Sequence, residues 1–203
     1  MQHSVPLPSQ DAPKPGSSHR VCPWWIGYLL ASPVRRIFNK PAKVFGGNVR
    51  PGMTVLEPGP GMGFFTLDLA RLVGDSGRVI AVDIQRRMLD QLRRRAARAG
   101  LLDRVETRLA LPDSLGLTDL TGVVDFTLAF AVVHELPSAA SFFREVACAS
   151  KPGARLLFVE PKGHVTAFLF AEELAAACDA GFKSLNAPGA GRTHTALLER
   201  MAG

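Results

Sequence analysis

The run Thr54-Val55-Leu56-Glu57-Pro58-Gly59-Pro60-Gly61-Met62-Gly63-Phe64-Phe65 constrains the fold of this chain more than any other stretch. A short apolar run ends in a carboxylate, turns through three alternate glycines and opens into the amphipathic stretch Phe64–Leu72. Glycine at such a turn accepts positive φ and lets a ligand reach the main chain with no Cβ in the way. The free N–H groups of the helix start behind it then face that ligand. The next apolar run, Arg78–Asp83, also ends in an acid, placed to accept hydrogen bonds from two ribose hydroxyls. Two such ends imply a nucleoside site at the carboxyl edge of a parallel sheet.

The glycine spacing separates two classes of nucleoside ligand. A dinucleotide fold uses G-x-G-x-x-G, with pyrophosphate at the helix N-terminus. Here the glycines are Gly59, Gly61 and Gly63, and the bulky Phe64 follows. Glu57 sets negative charge where a pyrophosphate would lie, and suits an ammonium-bearing ligand better.

From Thr54 onward strand-like and helix-like stretches alternate. Strands are expected at Thr54–Glu57, Arg78–Asp83, Val105–Leu109, Val123–Phe130 and Ala154–Glu160, with helices at Phe64–Leu72, Arg86–Ala99, Ala139–Ala149 and Ala171–Ala180. Gly100 stops the second helix, and Lys151-Pro152-Gly153 separates the third long helix from the fifth strand. Phe182–Leu185 and Thr193–Met201 read as an antiparallel pair at a sheet edge. This alternation predicts a doubly wound α/β sheet. Residues 1–20 are rich in proline and serine without periodicity, and a disordered tail is expected there. Residues 21–48, which hold both tryptophans, read as a helical lid, and 49–203 as the α/β domain.

Length and composition agree with one domain: 203 residues, 47% hydrophobic and 21% charged. Three separated cysteines make neither a C-x-x-C metal pair nor a disulfide framework, so a cytoplasmic protein without a metal site is expected. No stretch approaches the length of a membrane span. The net charge of +6 invites a nucleic-acid partner. Its main source is the cluster Arg86, Arg87, Arg93, Arg94, Arg95 and Arg98, which lies opposite Met88, Leu89 and Leu92 at helical spacing. No aromatic residue interleaves with it for base stacking, so a solvated helix face is expected and nucleic acid is not the expected partner.

Glu57 with its glycines and Asp83 together resemble the cofactor motifs of class I S-adenosylmethionine-dependent methyltransferases. The similarity runs from about Arg50 to the C-terminus and is nearest the small-molecule branch around the ubiquinone/menaquinone methyltransferases. It implies a Rossmann-like, mostly parallel seven-stranded sheet of order 3-2-1-4-5-7-6, with helices on both faces. It also implies S-adenosyl-L-methionine as cofactor and a small-molecule methyl acceptor. By this resemblance Glu57, Gly59, Pro60, Gly61 and Gly63 wrap the methionine part of the cofactor, Asp83 holds the ribose, and Ile84 lies beside the adenine. The acid often found after the third strand is absent. Ala110 and Leu111 stand there and offer backbone contacts instead, with Asp113 two residues late. The run Asp125–Leu136 resembles the family's fourth-strand segment and places Phe130 and Ala131 against the cofactor.

The N-P-P-Y tetrad of amine-methylating base enzymes, the Pro-Cys nucleophile of cytosine-C5 enzymes and the clustered thiols of arsenite enzymes are all absent. Methyl transfer from a sulfonium rests largely on positioning and desolvation, and needs a protein base only where the nucleophile must lose a proton. His134 is the candidate general base. His164, Glu135 and Glu160 share the strand ends and are candidate acceptor contacts, as are Trp24, Trp25 and Tyr28 of the lid. Two alternatives stay open: an RNA methyltransferase, argued from charge, and a non-catalytic protein that keeps the fold for binding.

Overall fold

The computed structural model describes residue 45, residues 47–185 and residues 191–202. Seven strands form one sheet: β1 (Thr54–Pro58), β2 (Arg78–Asp83), β3 (Val105–Leu109), β4 (Val124–Phe130), β5 (Ser150–Pro161), β6 (Phe182–Ser184) and β7 (Thr193–Arg200). Four helices connect them: α1 (Thr66–Val73), α2 (Arg86–Arg98), α3 (Ala139–Ala149) and α4 (Ala167–Asp179). The sheet order is β3-β2-β1-β4-β5-β7-β6, as the family resemblance implies. Only β7 runs against its neighbours.

Both faces of the sheet are covered, so its central strands read as continuous apolar runs whose side chains alternate between two cores. Val55, Val79, Phe126 and Leu157 face α1 and α2, packing on Leu69, Leu92 and Ala96. Leu56, Ile80 and Phe158 face the other way, onto Phe142 and Phe143 of α3 and Phe170 of α4. The arginine-rich face of α2 is solvated, with Arg86, Arg87, Arg93, Arg94 and Arg98 exposed.

Three expected boundaries move by two residues or more. The fifth strand begins at Ser150, four residues before Ala154, because Val124 pairs with Ser150 and Phe126 with Arg155. Lys151-Pro152-Gly153 therefore does not separate helix from strand; it forms a bulge inside the strand, where a proline without N–H and a glycine at φ 78° are accommodated. The first helix starts at Thr66 and not at Phe64, since residues 61–65 are turns. The last helix starts four residues earlier than Ala171, where the Thr166 hydroxyl accepts from the Leu169 N–H at 3.2 Å and caps it.

The expected disordered tail and nearly all of the expected lid, with Cys22, Trp24, Trp25 and Tyr28, lie outside the described residues. Among the described residues no helix is long and apolar enough to cross a membrane.

Candidate active site

A cleft of about 1170 Å³ opens at the carboxyl ends of the central parallel strands. The turns after β1, β2, β3, β4 and β5 all contribute to its walls. That is where a doubly wound sheet places its ligand, because the connections diverge there.

The glycine loop after β1 forms one wall. Gly63 has φ 81°, and a Cβ on it would run into the Leu92 side chain of α2, so this glycine seats the loop on the helix. Gly61 differs. It also has positive φ (55°), yet a Cβ there would meet nothing within 4 Å, and the residue lines the cleft. Gly59 and Pro60 line the cleft as well. Arg95 of α2 donates to the Met62 carbonyl, so one member of the arginine cluster is taken up in holding the loop.

Glu57 and Asp83 meet at the base of this wall. Glu57 is 3% exposed, and its Oε2 has no hydrogen-bond partner among the described residues. Burial pushes its carboxyl up to about 7; the Thr66 hydroxyl moderates this and the Asp83 charge adds to it. Asp83 accepts from the Gln85 N–H at 2.8 Å through Oδ1. Burial pushes Asp83 up to about 6 against the opposing effect of the Gln85 and Gly61 amides, with Glu135 adding a little.

Ile84 and Leu111 present apolar surface on the next wall, 42% and 62% exposed, as a flat base could use. Ala110 and Leu111 both line the cleft, with their N–H groups engaged within the fold. The Ala110 N–H already bonds to the Asp83 carbonyl (3.0 Å) and the Leu111 N–H to the Ser114 carbonyl (2.9 Å). The turn that this second bond closes carries Asp113 back to the cleft wall, so the acid that comes late in sequence is present in space. Phe130 and Ala131 line the cleft from the end of β4, where Ala131 takes φ 55°, a strained value for a residue with a Cβ.

The far end is polar. His134 and Glu135 follow β4 in a 3-10 turn (Val133–Glu135), and His164 follows β5; all three line the cleft. Glu160 does not line it. Its side chain is fully buried behind His134, with Oε2 2.6 Å from His134 Nδ1 and Oε1 accepting from the Val133 N–H at 2.8 Å. The Glu160 carboxylate holds the His134 imidazole above the usual histidine range. His164 meets the His134 ring edge-on at 5.7 Å. Glu173 of α4, missed in the sequence because it reads as an ordinary helix-surface acid, is buried, and its Oε2 has no partner among the described residues. Burial, with Glu160 nearby, pushes it up to about 7. Asp113, Arg192 and Thr193 were likewise not singled out as site residues and line the cleft. The sequence signal for Asp113 was its place two residues past the expected acid, and Arg192 and Thr193 carried none.

Residues 56–158, about half of the chain, match the family model described as a methyltransferase domain. The chain is 34% identical over 112 residues to the ubiquinone/menaquinone biosynthesis C-methyltransferase UbiE of Enterobacter sp. (strain 638), covering 55% of this chain and 44% of that one. It thus spans about half the length of the curated relatives it matches. Among solved structures it resembles a SAM-dependent methyltransferase from Aquifex aeolicus, with TM-score 0.77 and 25% identity over 88% of this chain and 98% of the other. It also shares the fold of the [4+2]-cyclase SpnF, with TM-score 0.67 and 17% identity over 83% of this chain and 82% of that one.

Proposed function

Because the chain belongs to the methyltransferase-domain family, with the class I fold and S-adenosyl-L-methionine as the implied cofactor, we propose that it methylates a small-molecule acceptor in the cleft. The observation that carries the cofactor's placement is the buried, unpartnered Oε2 of Glu57 beside the open face of Gly61. An orphaned buried acceptor costs stability until a donor reaches it, and an ammonium group is the donor it suits best. Asp83 would take the ribose hydroxyls, and Ile84 and Leu111 would flank the adenine. Phe130 and Ala131 close the side nearest β4. Bound there, the cofactor supplies a methyl group on a positively charged sulfur.

The protein's own part is to bind, to orient and to exclude water. The acceptor then occupies the polar end, near His134, Glu135 and His164. A small acceptor is supported by the likeness to the UbiE sequence. The shared fold of SpnF is the reason the chemistry needs its own test, since fold alone does not fix it.

Thermal-shift titration against S-adenosylmethionine, S-adenosylhomocysteine and NAD tests the cofactor. At a ligand concentration of about 100 times Kd the stabilisation is about 2.7 kcal/mol. Stabilisation by NAD alone overturns the reading. For the acceptor, methyl-labelled cofactor is incubated with a cell extract and the label followed. Label in the low-molecular-weight fraction is expected, and label confined to RNA gives the alternative.

A further inference from the structure

We propose that Glu160 is a positioning residue that turns His134 into a proton acceptor, so that this enzyme acts on acceptors whose attacking atom carries a proton, such as a hydroxyl. The inference rests on the methyl-transfer reading and specifies its acceptor class.

The geometry leaves one assignment for the ring. Glu160 is fully buried and sits 2.6 Å from Nδ1 of His134, while its other oxygen is held by the Val133 and His134 amides at 2.8 and 3.4 Å. A carboxylate only accepts, so Nδ1 carries the proton and donates to it. In the neutral ring Nε2 is then a lone-pair acceptor. Nε2 has no hydrogen-bond partner among the described residues, and the side chain lines the cleft. A histidine kept only as a structural tie gains nothing from lining the cleft.

Four groups from four directions face the ring. Glu160 comes from β5, Glu135 from the same turn, Glu173 from α4, and His164, edge-on, from the loop after β5. The three acids favour the imidazolium, so the charge produced by taking a proton is stabilised where it forms. An acceptor that needs no deprotonation, such as a thioether or tertiary amine, has no proton for Nε2 to take and makes no use of the dyad.

The step balances. The acceptor's X–H bond breaks, its proton passing to Nε2. Its electron pair forms the new bond to the sulfonium methyl carbon, and the C–S pair remains on sulfur as a neutral thioether. The imidazolium, paired with Glu160, returns its proton to solvent through the cleft.

The test is histidine NMR on the full chain without ligand. Wild-type protein should show His134 as the Nδ1–H tautomer, and Glu160→Gln should lower its titration midpoint. In turnover with the low-molecular-weight extract fraction as acceptor source, His134→Gln should lower kcat by about 10²-fold or more. Glu160→Gln should move the acid limb of the pH profile, and Glu160→Asp should restore it. S-adenosylhomocysteine affinity, read by calorimetry, should stay within about twofold in each variant. An Nε2–H tautomer in wild type overturns the proposal even if Glu160→Gln fails to fold, and so does an unchanged kcat in His134→Gln. Loss of S-adenosylhomocysteine binding by wild type is a different failure, that of the methyl-transfer reading itself.

Discussion

Glu57 and Asp83 sit at the carboxyl ends of adjacent parallel strands two residues out of register: Glu57 pairs with Ala81, and Asp83 lies one residue past Val82, the partner of Pro58. Two acids are thereby buried against one cleft, and each is pushed up, Glu57 to about 7 and Asp83 to about 6. A protein gains nothing from such a pair unless a cation or a set of hydroxyls comes to it. Stability has been exchanged here for a binding site.

The cofactor-free protein should lose stability as pH rises through this range. Both folded values lie above those of the unfolded carboxylates, so the advantage of keeping the groups neutral is full below about pH 4 and is lost as pH passes about 6 and then 7. For Glu57 the change amounts to about 3 kcal/mol. Thermal melts from pH 4 to 8 should show the decline, and Glu57→Gln should flatten its upper part while weakening cofactor binding.

Binding should run the other way with pH. S-adenosylmethionine favours the ionised acids, so affinity should rise between about pH 5.5 and 7.5 with release of protons. Calorimetry in buffers of different ionisation enthalpy reads that release directly. Heats independent of buffer near pH 6.5 would count against Glu57 and Asp83 as the contacts.

Asp83→Ala should cost about 1–3 kcal/mol of cofactor binding, the range for hydrogen bonds to a charged group. It also removes the acceptor for the Gln85 N–H, so a small loss of stability should accompany it. Asp83→Asn keeps that local bond and should recover stability without recovering affinity. A folded Asp83→Ala protein with an unchanged dissociation constant would remove Asp83 from the ribose site.

Gly61, open to the cleft, and Gly63, seated on Leu92, predict different phenotypes for the same substitution. Gly61→Ala adds a methyl where nothing lies within 4 Å, so its folding cost is that of a positive φ, about 1 kcal/mol, while the methyl intrudes on the ligand. Gly63→Ala drives a methyl into Leu92 and should destabilise the fold more strongly. Urea melts and calorimetry on the pair should separate a binding defect from a folding defect.

How much of this was legible in the sequence follows from the range of the forces involved. β2, β3 and α3 fall at their expected limits, because apolar runs closed by charged or turn residues are local signals. The bulge at Lys151–Gly153 was not legible, since proline and glycine mark turns and only the partner strand shows that the chain continues. The glycine-loop wall of the cleft was legible because glycine spacing and strand-end acids sit within thirty residues of one another. The place of Glu160 was not. Sequence puts it at a strand end like Asp83, but the turn at His134 covers it, a contact between residues 26 positions apart. Burial of Glu173 depends in the same way on how α4 lies against that turn.

The antiparallel β7 has a consequence for the chain as it is made. It is the last strand synthesised among those described, yet it fills an interior place between β5 and β6. Until it emerges from the ribosome, β5 waits with one edge unpaired and Leu156–Val159 along it, a template for wrong partners. His194 of β7 registers with Glu160, so the strand that seals this edge also fixes the backbone carrying the buried acid behind His134. A nascent chain can therefore assemble the glycine-loop wall of its cleft early, but the end around His134 is finished only with the final strand.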